Sequence, residues 1–137
     1  SVSALALARE NARELGAKVS VFEGDLYQGL GRGTYHFMVS NPPYIPLDDP
    51  HPGLGDAAFE PRLALVSGRD GLDALAFLSR AAPRHLEDSG WLFCEHGWDQ
   101  GDKVLDFMAK SGFQNLECLR DIAGHERVTL GQWISSR

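Results

Sequence analysis

The stretch Val39-Ser40-Asn41-Pro42-Pro43-Tyr44 restricts this chain more than any other. Residues 35–39, apolar except for His36, have the length of a buried strand, and the run meets an Asn followed by two prolines. Proline lacks an N–H and fixes its own φ, and the residue before a proline is pushed out of the helical region. The strand must end there, with Asn41 and Pro42 held extended in a stiff loop. That loop offers an amide side chain, a backbone carbonyl with no competing ladder partner and an aromatic ring. It does so at the carboxyl end of a strand, where open α/β sheets bind ligands. Taken alone, the same residues also read as a plain strand-terminating Pro-Pro turn.

A chain of 137 residues, 43% hydrophobic and 23% charged, is expected to form one soluble domain over 1–137 with a single core. Its net charge of −6 argues against a phosphate-tracking surface, because nucleic-acid binders carry a basic stripe. The densest basic set, Arg62, Arg69 and Arg80, is interleaved with Asp70 and Asp73. Cys94 and Cys118 fall in apolar strand-like runs and read as reduced core thiols. No apolar run reaches membrane-spanning length and no signal segment opens the chain, so a cytoplasmic protein without membrane contact is expected. An opening on Ser1 that enters a helix at once fits a piece of a longer protein.

In order, Leu5, Ala8, Ala12 and Leu15 fall on one face of an N-terminal helix stopped by Gly16. Residues 18–23 alternate like a strand and end at Gly24-Asp25. The glycine-rich 29–33 has neither the strand nor the helix that a phosphate cradle needs, and reads as a flexible loop. After the Asn-Pro-Pro-Tyr loop, residues 46–61 form a long aperiodic loop beside the suspected site. A helix over about 72–85 buries Leu75, Leu78 and Ala82, with Pro83 kinking or restarting it late. Residues 90–97 read as a buried strand and 99–110 as a helix presenting Val104, Phe107 and Met108. Residues 115–121 and 127–134, joined by a short turn, must form an antiparallel hairpin. The alternation predicts an α/β fold, a mostly parallel sheet closed by that hairpin.

Asn41-Pro42-Pro43-Tyr44 resembles motif IV of S-adenosylmethionine-dependent methyltransferases acting on a planar NH2 group, whether of DNA adenine, RNA guanine or protein glutamine. Further positions narrow the likeness. Gly24-Asp25-Leu26, Phe59-Glu60-Pro61, Ala64-Leu65, Ser67-Gly68 with Asp70-Gly71, Glu95-His96-Gly97 with Gln100, and Asp121 with Glu126-Arg127-Val128 and Gly131 follow in order. With them the chain resembles the HemK/PrmC family, the peptide-chain release-factor glutamine N5-methyltransferases. The resemblance implies a Rossmann-like class I methyltransferase sheet whose first two strands, Gly-rich cofactor loop and ribose-binding acid precede Ser1. Residues 19–22 would then be an edge strand facing a gap. Either the isolated chain closes that gap by a non-native or intermolecular strand pairing, and then binds cofactor poorly and is catalytically incomplete, or it is a piece cut from a complete domain.

By the same resemblance the cofactor is S-adenosyl-L-methionine, with Asp25 accepting from the adenine amino group and the Leu26 N–H meeting a ring nitrogen. The partner is a glutamine-bearing loop of a peptide-chain release factor, with no direct nucleic-acid contact. Asn41 and the Pro42 carbonyl would accept the two N–H bonds of the glutamine amide, and Asn41 would also adjoin the cofactor methyl. Pro43 and Tyr44 would complete the substrate slot, Tyr44 packing on the flat amide. A nucleic-acid base methyltransferase is the alternative, and it should add a basic segment and stacking aromatics for a flipped base. Glu95-His96 has no second ligand at a metal-binding spacing and reads as structural. Glu126-Arg127 reads as a hairpin ion pair, Trp91, Trp98 and Trp133 as packing residues, and His36 as a partly exposed strand residue.

Overall fold

The computed structural model describes residues 1–50 and 59–135. The aperiodic loop predicted over 46–61 falls in part, with His51, Pro52, Gly53 and Gly55, outside the described residues. The chain divides into two compact units, Ser1–Gly33 and Thr34–Arg137, and each is described by itself.

In the first unit, helix α1 spans Val2–Glu14. Ser1 Oγ accepts the Ala4 N–H at 3.3 Å, satisfying one orphan donor of the first turn. At the other end Gly16 adopts φ +62 and donates to Arg13 O, while Ala17 donates to Ala12 O at 2.9 Å. This pair of bonds closes a helix on a left-handed residue, the role expected of Gly16. None of α1 is buried: Leu5 and Ala12 are half-covered, and Leu15 is exposed.

The strand expected over 18–23 is not formed. Alternation only proposes a strand, and a partner ladder makes one. No described strand pairs with this segment, and Val19 and Phe22 remain largely exposed. The chain then turns through a 3-10 helix, Leu26–Gly29, in which Gln28 donates to Asp25 O at 3.0 Å. A side chain on Gly24 would place its Cβ 2.2 Å from Gly29 N, so this turn requires glycine. Leu26 sits at φ +48, an uncommon conformation for a side-chain-bearing residue.

The second unit is a four-stranded sheet with helices. Strand β1 is Tyr35–Ser40, followed by the short helix α2 (Arg62–Leu65), helix α3 (Asp73–Ala81) and strand β2 (Leu86–Glu95). Helix α4 (Gly101–Lys110) and the hairpin strands β3 (Phe113–Arg120) and β4 (Glu126–Trp133) complete it. The sheet order is β1-β2-β4-β3. β1 and β2 run parallel, and β4 inserts antiparallel to both β2 and β3.

Packing follows the predicted stripes. Leu75, Leu78 and Ala82 are buried below α3, and Val104 and Met108 below α4, with Phe107 half-buried. Full burial of a side chain such as Leu75 contributes about 1.5–3 kcal/mol. Pro83 ends α3: the chain continues as a 3-10 turn, Ala82–Arg84, because proline cannot extend the α-helical ladder. β2 begins four residues before its expected start, across an irregularity in which Ser89 takes φ +65.

The hairpin corrects one pairing. Glu126 and Arg127 do not pair with each other, since neighbouring strand residues point to opposite faces. Glu126 bonds Arg120 at 3.0 Å and Arg127 bonds Asp121 at 3.3 Å. Trp91 lies 6.4 Å from Phe93 and Trp133 meets Phe113 edge-on at 6.0 Å, but Trp98 is 64% exposed and is not a core residue. Exposed His36 pairs with Glu87 at 3.1 Å.

Asp121 organises the hairpin turn. Its carboxylate accepts the N–H groups of Ala123 (2.9 Å) and His125 (3.0 Å) as well as Arg127 Nε–H. The His125 N–H foremost, with the Arg127 and Ala123 donors also contributing, holds its pKa below the ordinary value. A carboxylate with a lowered folded-state pKa stabilises the fold above its unfolded pKa, and that contribution is lost as pH falls through the folded value. Amide protection at Ala123 and His125 is therefore expected to fall on acidification below about pH 4, the ordinary Asp value. Asp121→Asn should remove this acid dependence; equal acid sensitivity in both proteins would contradict it.

Candidate functional site

β1 stops where the prolines dictate. Ser40 still pairs with Cys94, Asn41 is exposed, Pro42 is buried, and Pro43, Tyr44 and Ile45 are half-buried. The loop is backed by residues 65–68. Ile45 N–H donates to Leu65 O (2.9 Å), Ser67 N–H to Ile45 O (3.0 Å) and Leu47 N–H to Gly68 O (3.0 Å). Ile45 and Val66 form a parallel bridge. The backing segment is fixed in turn by α3, whose Ala74 N–H donates to the buried Ser67 Oγ at 2.8 Å. Leu72, at the N-cap, offers no side-chain oxygen, so Ser67 supplies the capping acceptor from outside the helix.

Asn41, Pro42, Pro43 and Tyr44 line one cleft of about 200 Å³, together with Ile45, Glu60, Ala64 and Leu65. Among the described residues, the Asn41 side chain and the Pro42 carbonyl have no hydrogen-bond partner. Two residues that line this small concavity thus each carry an acceptor oxygen without a described partner. Tyr44 is committed: its hydroxyl donates to Glu95 Oε1 at 3.2 Å. Burial and then the Glu95 carboxylate push its pKa up, so it remains a protonated donor at neutral pH.

Gln100 and Gly71 meet the Tyr44 carbonyl. Gln100, 5% exposed, accepts the Gly97 N–H on Oε1 (2.9 Å) and donates from Nε2 to Tyr44 O (3.0 Å). The Tyr44 carbonyl also lies against Gly71, at φ +77, where an added Cβ would sit 2.1 Å from that oxygen. His96 is fully buried. Its Nδ1 lies 2.8 Å from Gly97 O, which can only accept, so Nδ1 carries a proton, and its Nε2 lies 2.9 Å from Thr129 Oγ1. Cys94 and Cys118 are free thiols, and burial alone pushes the Cys94 thiol up to about 12. Among the described residues no cluster of His, Cys, Asp and Glu could hold a metal ion.

Comparison with known proteins gives this geometry a lineage. Residues 1–56, which include the Asn-Pro-Pro-Tyr loop, match the Methyltransferase small domain family. The Release factor glutamine methyltransferase of Pseudomonas aeruginosa is 47% identical over 131 residues, 95% of this chain and 48% of that protein. The protein of the same name from Vibrio cholerae is 47% identical over 133 residues, 96% of this chain and 46% of that protein. Over nearly its whole length the chain is similar to proteins named release factor glutamine methyltransferase.

The chain spans about half the length of the curated relatives it matches. Its fold is also that of a crystallised methyltransferase from Pyrococcus furiosus, with a TM-score of 0.69 at 18% identity over 96% of this chain and 58% of that one. No described helix is long and apolar enough to cross a membrane. Of the positions expected from sequence, Asn41, Pro42, Pro43 and Tyr44 come together in one cleft. Asp25 and Leu26 lie in the first unit. Sequence reasoning assigned no role to Gly71 or Gln100. Their presence among the family-like positions was a signal, but only the fold brings them to Tyr44.

Proposed function

We propose that the protein to which this chain belongs transfers a methyl group from S-adenosylmethionine to the side-chain amide nitrogen (N5) of a glutamine in a peptide-chain release factor. The observation that carries this reading is a pair of acceptors without a partner among the described residues, the Asn41 amide oxygen and the Pro42 carbonyl, on two residues that line a cleft of about 200 Å³. A glutamine amide nitrogen shares its lone pair with its carbonyl and is a poor nucleophile. Accepting both of its N–H groups reorients it, aims the lone pair outward and stabilises the positive charge that develops on nitrogen. Tyr44, held by Glu95, lines the same cleft. No general base is needed before transfer, since the nitrogen proton becomes acidic only afterwards.

S-adenosylmethionine supplies the electrophilic methyl on its sulfonium. In the first unit the Asp25 carboxylate and the adjacent Leu26 N–H are without partners among the described residues. An acceptor next to a donor fits the amino and ring-nitrogen edge of adenine. Asp25 and Leu26 would hold that edge, and the substrate class places the reaction in the cytoplasm.

Incubation of the full-length protein with labelled S-adenosylmethionine and a release factor tests the reading. Label is expected on the release factor and not on duplex DNA, in keeping with a net charge of −6 and no basic stripe. Methylation of adenine in DNA, with none of the release factor, would replace this reading with the nucleic-acid one.

A further inference from the structure

Tyr44 is gripped at both ends by one short stretch of chain. Glu95, the last residue of β2, takes its hydroxyl, and Gln100, five residues on, takes its carbonyl. Gln100 needs both halves of its amide to do this: the oxygen accepts from Gly97 N–H and the nitrogen donates to Tyr44 O, with a longer reach of 3.4 Å to Asp70 O. This near-fully buried amide joins three segments far apart in sequence, at Tyr44, Asp70 and Gly97. Its effect is local, on the peptide following Tyr44 and hence on the two-proline loop before it. Because Pro42 and Pro43 have fixed φ, holding the Tyr44 carbonyl narrows the backbone positions from which Asn41 and Pro42 present their oxygens.

We propose that Gln100 is a positioning residue for this site, its side-chain amide setting the direction in which Asn41 and Pro42 present their acceptor oxygens. The inference rests on the amide-methylation reading for its catalytic consequence, but its structural part stands separately. The chemistry of the contact gives a reversible test. Gln100→Glu keeps the shape and the acceptor toward Gly97, but turns the donor toward Tyr44 O into a second acceptor. Protonating the introduced carboxyl restores a donor.

In the full-length protein, Gln100→Glu is expected to lower kcat toward a release-factor glutamine by about 10- to 100-fold at neutral pH, leaving KM for S-adenosylmethionine unchanged. The deficit relative to wild type should shrink as pH falls. Hydrogen exchange provides the arm that needs no turnover. Protection of the Ile45 and Leu47 amides should fall about tenfold, the value of one lost hydrogen bond, while Leu92 and Leu130 in the β2–β4 ladder are unaffected. Gln100→Leu, of similar size and with neither bond, should show the same losses without recovery in acid, and it decides the matter if the glutamate variant does not fold. Unchanged protection at Ile45 and Leu47, or a kcat deficit of equal size at every pH in both variants, would overturn the proposal. Wild-type protein that fails to methylate glutamine would overturn the functional reading alone, and the exchange arm would still decide the positioning role.

Discussion

Asn41→Ala in the full-length protein is expected to lower kcat about 100-fold or more, the range for losing one preorganised polar partner of a developing charge. Stability should change by less than about 0.5 kcal/mol, because the side chain is exposed and has no partner among the described residues. Affinity for S-adenosylmethionine should stay near wild type if the adenine edge is read by Asp25 and Leu26. The diagnostic is therefore a split: a large fall in kcat with the melting temperature unmoved. Steady-state kinetics and thermal denaturation of the same preparation measure both. Wild-type turnover in this variant would remove Asn41 from the site.

Gly71→Ala is expected to have the opposite signature, losing stability and activity together. Gly71 sits at φ +77, which costs a side-chain-bearing residue about 1–2 kcal/mol. The added Cβ would also sit 2.1 Å from Tyr44 O and 2.9 Å from Gln100 Nε2, and backbone does not yield as a flexible side chain would. Overpacking of this kind costs a further 1–3 kcal/mol or so. A melting temperature lower by about 10 °C or more follows for a unit of this size. The displaced Tyr44 carbonyl should reduce kcat as well. A variant that melts with wild type would mean that Tyr44 is not packed against Gly71 in solution.

What could be read from the residues alone was the part governed by local rules. Gly16 ends α1, Pro83 ends α3, and Asn41-Pro42 ends β1, each because a single residue type forbids or permits a backbone conformation. The stripe of Leu75, Leu78 and Ala82 and the closing hairpin followed from periodicity and a short turn. Residues 18–23 failed because alternation cannot supply a ladder partner. The Ile45–Val66 bridge was missed because it joins segments twenty residues or so apart, and α2 because a single four-residue turn is too short to show a period. The candidate site divides the same way. Asn41 to Tyr44 are contiguous and carry their own punctuation, whereas Gly71, Glu95 and Gln100 reach Tyr44 only through the fold. Trp98 read as a packing residue from its type and is exposed instead, showing that an aromatic is placed by its neighbours.

The central claim is that the cleft at Asn41 and Pro42 takes a glutamine side-chain amide. Tandem mass spectrometry of a release factor, after incubation of the full-length protein with S-adenosylmethionine, tests it most directly. The account predicts one added methyl on the side-chain nitrogen of a single glutamine, greatly diminished with Asn41→Ala. A methyl group found on any other side chain, or on the glutamine at an undiminished rate with that variant, would contradict it.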